Sequence, residues 1–164
     1  MSENSKRDGT DGPAMRALPP ATRSAAARGL TCAAAHESFE LQVCAECGAV
    51  QYPPREACHR CLSTSLVWRA QPGGGELIAE TTLHHSHEEY FRERLPWRIG
   101  IVRLDCGPSA ITHVLGTVPS APCRVRVAAR LDESEQAVLV ALPEDPTAGD
   151  EPVGTAPAPA GRGP

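Results

Sequence analysis

Between residues 76 and 142 the chain repeats short runs in which apolar and polar side chains alternate, the period of a half-buried β-strand. In the clearest run, residues 123–131, Val125, Val127, Ala129 and Leu131 alternate with arginine or alanine. Turn-forming residues at 105–108 and 132–135 separate neighbouring runs. The pattern predicts strands at residues 76–83, 97–104, 109–115, 123–131 and 136–142. Five short strands suit a small barrel, for which the OB-fold is a common solution.

The two ends of the chain lack the side chains that a packed core needs. Residues 1–35 contain nine alanines and no aromatic residue, and residues 143–164 carry six prolines and four glycines. Such segments bury too little to offset the loss of chain entropy, so we expect a disordered arm at 1–35 and a disordered tail at 143–164. A glycine-rich corner at 71–75 divides the rest into residues 36–70 and the barrel at residues 71–142.

Four cysteines in residues 36–70 are the strongest chemical signal. Cys44 and Cys47 form one C-x2-C pair, and Cys58 and Cys61 form a second pair after a ten-residue spacer. Two such pairs supply four thiolates to one ion, the usual ligand set of a closed structural zinc site, although iron also accepts four sulfurs. We therefore predict a zinc ribbon with these four ligands. His59 is interpreted as a surface residue or as a hydrogen-bond donor behind the ligands.

Charge and hydropathy narrow the function classes. The formal net charge is −4, whereas a protein that coats nucleic acid needs surplus positive charge at the contact. No run approaches the roughly 18 consecutive apolar residues of a membrane-spanning helix, and the N-terminus has no apolar signal segment. In a reducing compartment, closely paired cysteines favour metal binding over disulfides. We therefore expect a cytoplasmic protein with no membrane partner.

Over residues 39–142 the chain resembles one known family, called domain of unknown function 35. Members of this family carry a rubredoxin-like zinc ribbon followed by an OB-fold. The match includes the spacer between the cysteine pairs, the glycine corner and a Leu-Pro step before the second strand. The residues that carry it are Cys44, Cys47, Gly48, Tyr52, Pro53, Pro54, Arg55, Cys58, Cys61, Trp68, Gly75, Leu95, Pro96 and Gly116.

The resemblance implies a mainly β fold and a non-catalytic accessory subunit. Such subunits support a thiolase-like enzyme, or sometimes a hydratase, that acts on acyl-CoA substrates by condensation, thiolysis or aldol cleavage. The family's N-terminal helix, which contacts the partner, is not evident in the arm before His36. The alternative class is a zinc-ribbon OB-fold protein that binds single-stranded nucleic acid, which the fold permits and the charge does not favour.

Five arginines on the predicted strands are candidates for binding the phosphates of coenzyme A. Guanidinium forks match phosphate oxygens, and the same side chains would suit a nucleic-acid backbone. The competing interpretation is a solvated strand face paired with local carboxylates. The candidate residues are Arg98, Arg103, Arg124, Arg126 and Arg130.

The remaining histidines and cysteines are interpreted as structural. A second metal site or an acid–base group formed by His85, His87 and Glu89 would require strand alternation, which a loop does not preserve, so we favour a polar loop. Cys32, Cys106 and Cys123 have no histidine at the spacing of a nucleophile and its base. We therefore predict no catalytic residue in this chain.

Overall fold

The computed structural model describes residues 17–144. The expected arm and tail therefore lie partly outside the described residues, at 1–16 and 145–164. A 3₁₀ turn at Ala25–Ala27 precedes the first helix. The helices and strands are α1 (Arg28–Ala35), β1 (Glu40–Cys44), β2 (Val50–Gln51), β3 (Leu66–Ala70), β4 (Gly74–Leu83), α2 (Glu89–Arg92), β5 (Trp97–Leu104), β6 (Ser109–Val114), β7 (Cys123–Leu131) and β8 (Ala137–Pro143).

The first three strands form a small antiparallel sheet with the order β2-β1-β3. β1 lies in the centre and pairs with all of β3 on one side and with both residues of β2 on the other. Leu41 is the one aliphatic side chain of these three strands that is buried. Because so little apolar surface is covered, this sheet depends on contacts outside itself, to the metal ligands and to the barrel.

The other five strands close into a barrel with the order β4-β5-β6-β8-β7. β7 returns to pair with β4, and the short contact between β6 and β8 is parallel while the other pairs are antiparallel. The mainly β fold, with an N-terminal ribbon and a five-stranded barrel, confirms the prediction. Two strands have the predicted bounds, at 97–104 and 123–131, and the other three differ by one or two residues at one end or at both.

Strand alternation fills the barrel interior with aliphatic side chains, as the sequence pattern predicts. Gly100 of β5 is required at one close contact, since a Cβ there would overlap the side chain of Leu77. The largest fully buried aliphatic residues of the barrel are Leu77, Val102, Leu104, Val125, Val127 and Val140. The core therefore lies inside the barrel and continues outward to α1 and to Leu41 of the ribbon.

Helix α1 corrects the expectation that residues 1–35 form a disordered arm. Leu30, Ala33 and Ala34 share one helix face by their i, i+3, i+4 spacing, and all three are buried. The alanines that suggested a poor core also have the highest helix propensity, and their small side chains let the helix lie close to β7. Gly29 contributes a second close approach, because any Cβ there would overlap the indole of Trp68 in β3. The helix therefore bridges ribbon and barrel.

The boundary of the expected tail also needs a small correction. Pro143 is the last residue of β8 and pairs with Val125 of β7. Proline is tolerated at this position because the strand ends there. In residues 17–144 no helix is long and apolar enough to cross a membrane.

Candidate metal centre

Each cysteine pair lies on a tight turn with the same hydrogen bonds. The N–H of Gly48 donates to Cys44 O (2.9 Å), and the N–H of Leu62 donates to Cys58 O (3.0 Å). Both residues have positive φ, 71° at Gly48 and 63° at Leu62. This conformation is favourable for glycine and costly for leucine, so the second turn is maintained by its surroundings. The repeated geometry directs both pairs of thiols to a common centre.

The structure brings the four predicted ligands together. Their sulfur atoms all lie within 4.8 Å of one another. Cys44 Sγ is 3.5 Å from Cys61 Sγ, and Cys47 Sγ is 3.6 Å from Cys58 Sγ. A tetrahedral zinc with Zn–S bonds of about 2.3 Å separates its sulfurs by about 3.8 Å. The donor set and its spacing therefore fit a four-coordinate metal with no ligand position left over.

The four thiols differ in how readily they ionise. The backbone N–H of Cys47 lowers the pKa of Cys44 below its usual value. Backbone N–H groups of its own turn, that of Cys61 first, lower the pKa of Cys58 to about 6. At Cys61 the N–H of Ser63 acts in the same direction, but the neighbouring sulfurs outweigh it and raise the pKa of Cys61 to about 12. Thiolates this close repel one another, so ionisation of all four requires a bound cation.

Two buried glutamines that were not predicted from the sequence hold the second cysteine turn in place. Gln42 and Gln51 face each other across β1 and β2, and Gln51 Nε2 donates to Gln42 Oε1 (3.0 Å). Gln42 Nε2 donates to Arg55 O (3.0 Å), and Gln42 Oε1 accepts from Arg55 N–H (2.8 Å). Gln51 Oε1 accepts from the N–H of His59 (3.1 Å). Two amides facing each other on paired strands beside the cysteines are the signal that could have indicated this network.

The histidines lie outside the sulfur cluster. His59 is exposed, and its Nδ1 is 3.2 Å from Gln51 Oε1, so it contacts a residue that supports the second turn. His85 and His87 lie in the exposed segment between β4 and α2, where their rings meet edge to face at 5.1 Å. Within residues 17–144 the four cysteines are the one cluster of at least three potential metal ligands. This agrees with the interpretation of segment 84–87 as a polar loop.

The three remaining cysteines are not arranged for nucleophilic catalysis. Burial raises the pKa of Cys106 and the pKa of Cys123, which reduces the reactive thiolate at neutral pH. The thiol of Cys123 donates to Pro119 O (3.3 Å). Cys32 is exposed on α1. Among the described residues none of these thiols has a histidine side chain as a hydrogen-bond partner.

The first two candidate arginines on the barrel are engaged by carboxylates. Arg98 Nε lies 2.6 Å from Glu80 Oε1, and Arg98 Nη1 donates to the carbonyl of Gly116 (2.6 Å). Arg103 Nη1 lies 3.5 Å from Glu76 Oε2 across the β4–β5 pair. These contacts match the competing interpretation, a strand face paired with local charges.

The other three candidates lie on β7. Arg124 makes two hydrogen bonds to Asp105, at 2.8 and 2.7 Å, which hold the pKa of that carboxyl below its usual value. Arg126 and Arg130 line a groove of about 610 Å³ between β7 and the end of α1. The structure therefore brings two of the five arginines into one groove and does not bring all five together.

An aromatic cluster closes one end of the barrel around His113, a residue that was not predicted from the sequence. Trp97 Nε1 donates to His113 Nδ1 (2.7 Å), and the ring of Phe91 stacks on His113 with centroids 6.4 Å apart. Burial lowers the pKa of His113, so the imidazole is neutral and accepts from the indole. Tyr90 is buried beside this pair, with the guanidinium of Arg94 3.9 Å above its ring.

The fold and the four-sulfur centre define a small protein of the zinc-ribbon and OB-fold class. Comparison with protein families is more specific. The rubredoxin-like zinc ribbon domain of ChsH2 matches residues 33–67, and the C-terminal OB-fold domain of ChsH2 matches residues 68–135. The two matches are contiguous and together cover more than half of the chain, so the chain belongs to the ChsH2 family, also called DUF35. The resemblance seen in the sequence is confirmed.

Solved structures with the same fold include a chain of the "Ltp2-ChsH2(DUF35) aldolase". It is 23% identical with a TM-score of 0.64, over 76% of this chain and 98% of that chain. A DUF35-family protein of unknown function from Sulfolobus solfataricus is 15% identical with a TM-score of 0.49, over 73% of this chain and 86% of that chain. At these identities the likeness concerns the fold alone. No curated protein matches the sequence significantly.

Proposed function

We propose that this chain is a non-catalytic accessory subunit of a thiolase-like enzyme that acts on acyl-CoA substrates. The observation that carries the proposal is the match to both domains of ChsH2 along a continuous stretch of the chain. A ChsH2 chain of the same fold occurs with Ltp2 in a solved aldolase. By analogy, the partner of this chain is an enzyme subunit that makes or breaks a carbon–carbon bond next to a thioester.

We further propose that the metal is zinc, held by Cys44, Cys47, Cys58 and Cys61. Zinc in such a site supplies stability and no reactive position, because all four coordination places are filled by sulfur. Structural zinc contributes roughly 10–16 kcal/mol of apparent folding free energy in small ribbons. That contribution suits a sheet whose one buried aliphatic residue is Leu41. Unpaired thiols also suit a reducing compartment, so we keep the cytoplasm as the proposed location.

The proposal that the chain lacks catalytic activity is supported by its side-chain chemistry. Nucleophilic or acid–base catalysis requires a reactive group within hydrogen-bond reach of a base or an acid. In residues 17–144 the half-buried His113 is bonded to Trp97, and the raised pKa values of Cys106 and Cys123 disfavour their thiolates. We therefore propose that the chain acts by binding and supporting a catalytic partner subunit.

We expect the enzyme subunit to bind an exposed apolar strip on the outer wall of the barrel. Ile101 of β5 and Ile111 of β6 are cross-strand neighbours, and they are 42% and 67% exposed. Ala79 pairs with Ile101 from the other side, and Leu83 lies further along the same strand. Adjacent exposed aliphatic side chains on one sheet face are typical of protein–protein contacts. The strip is therefore the surface of this chain to which we expect the enzyme subunit to bind.

Contact with acyl-CoA is a finer part of the proposal. Of the five arginines predicted to meet its phosphates, Arg126 and Arg130 share the groove beside α1. We therefore propose that any CoA phosphate that reaches the barrel lies beside Arg126 and Arg130.

The alternative, binding of single-stranded nucleic acid, has weaker support. OB-folds that bind single strands stack bases on exposed aromatic rings along a basic groove. Here Tyr90 and Trp97 are buried, 3% and 8% exposed, and they pack against each other and against Phe91. The rings of Tyr90 and Trp97 are therefore part of the packed interior and are not exposed for a base to stack on.

Affinity purification of the tagged chain from its native cells tests the proposal. We expect a condensing, thiolytic or aldol-cleaving enzyme subunit to co-purify in fixed stoichiometry, with acyl-CoA turnover in the complex. Oligonucleotide binding that falls steeply with salt, in the absence of such a subunit, would instead support the nucleic-acid alternative.

A further inference from the structure

A cleft of about 570 Å³ lies between the zinc ribbon and the β5–β6 turn of the barrel. One wall is formed by the first cysteine turn, β2 and the spacer, with Val50 and Tyr52 among its residues. The opposite wall is the turn at Gly107 and Pro108. The volume lies within the usual range of about 300–1,000 Å³ for small-molecule sites. The cleft is separate from the β7 groove that contains Arg126 and Arg130.

The cleft is lined by basic side chains and by no acidic one. Arg55, His59 and Arg60 line it, and no aspartate or glutamate does. Neither Arg55 nor Arg60 forms an ion pair with any carboxylate of residues 17–144. Arg98, Arg103 and Arg124 on the barrel each have such a partner, so the two arginines of the cleft differ from these three.

From this geometry we propose that the cleft binds a phosphorylated small molecule. Two guanidinium groups can each donate two parallel hydrogen bonds to phosphate oxygens. The cleft is much larger than a phosphate ion, and Val50, Tyr52 and Pro108 offer apolar surface to an organic group attached to the phosphate. This inference does not depend on the identity of the enzyme partner or on the proposed CoA contact.

A competing role for Arg60 is to balance the charge of the metal centre. Its backbone N–H already donates to Cys58 Sγ (3.4 Å), and four thiolates around a divalent ion carry a net charge of −2. Arg55 separates the two roles because it lies in the spacer, outside both cysteine turns. Its backbone bonds to Gln42 are independent of the side chain, so Arg55→Gln leaves them in place.

Calorimetric titration of the full metal-loaded chain with ADP, pyrophosphate and adenosine tests the proposal. The variants are R55Q, R60Q and R126Q, with R69Q as the matched control on the exposed edge of β3, and metal content is measured for each. We expect ADP to bind more tightly than pyrophosphate, adenosine to bind weakly, and affinity to fall with added salt. Loss of the charge-assisted hydrogen bonds of one guanidinium group should reduce the affinity for ADP roughly 10- to 100-fold in R55Q and in R60Q. R69Q and R126Q should bind as the wild type does.

Three results would overturn the proposal. The first is the absence of saturable ADP and pyrophosphate binding by the wild type. The second is unchanged ADP affinity in R55Q with full metal content. The third is a loss of affinity in R126Q and not in R55Q, which would place the ligand in the β7 groove. If R60Q loses metal, Arg60 stabilises the metal centre, and the ADP affinity of R55Q alone then tests whether the cleft binds phosphate.

Discussion

Replacement of Gln51 by methionine should destabilise the ribbon although it conserves side-chain volume. Gln51 is 3% exposed and donates to Gln42 Oε1 while it accepts from the N–H of His59. Methionine can make neither bond, nor the longer one from Gln51 Nε2 to Ala57 O (3.4 Å), so three polar groups beside the second cysteine turn lose a partner. Each unsatisfied group costs about 1–3 kcal/mol. Because Gln42 Oε1 keeps its bond from Arg55 N–H, we expect a total loss of about 2–4 kcal/mol.

The loss is measured as the change in the free energy of urea unfolding of the metal-loaded chain. Gln71→Met is the matched control, because the single side-chain bond of Gln71, to Arg69 O (3.3 Å), is exposed to water. The double variant Q42M/Q51M should cost about 0.5–1.5 kcal/mol less than the sum of the single variants, since their shared bond is removed only once. A Q51M variant as stable as Q71M would show that the amide network does not hold the second cysteine turn.

Other perturbations test the metal, the barrel and the proposed docking strip. Cys58→Ser should abolish stoichiometric zinc and unfold the ribbon, as measured by metal analysis and circular dichroism; Cys123→Ser should retain zinc, and full zinc in C58S would contradict the four-sulfur site. Burial lowers the folded pKa of His113, so the unfolded chain takes up the proton first as pH falls, and stability should decline below pH about 6.5. Urea midpoints at pH 5.5 and 7.5 should differ less in H113Q than in the wild type, and an equal difference would argue against this assignment. The double variant I101E/I111E should lose the co-purifying enzyme subunit while L131E, an exposed site on β7, retains it; retention in both would exclude the strip as the docking site.

The barrel strands could be predicted from the sequence because a half-buried strand repeats every two residues. Residues 123–131 show this alternation clearly, and β7 has the predicted bounds. The cysteine spacing likewise indicated the ligands, because two C-x2-C turns have few uses other than metal binding. Both signals are local, so they can be read without knowledge of the fold.

The features that were missed depend on contacts between distant parts of the chain. Helix α1 becomes ordered because Leu30 and Ala34 join the hydrophobic core of the barrel, and composition alone did not show that contact. The partners of the barrel arginines were also hidden: Arg124 meets Asp105, 19 positions earlier, only after β7 pairs with β4. The pairing of Gln42 with Gln51 likewise depends on the register between two strands.

We propose that the metal stabilises a scaffold while the reaction belongs to another polypeptide. The decisive test is steady-state turnover of a panel of acyl-CoA thioesters, assayed for condensation, thiolysis, aldol cleavage and hydration with the purified metal-loaded chain alone. We expect no turnover above background at any concentration of the chain. Turnover that rises in proportion to the concentration of the chain, and disappears in C58S, would contradict it.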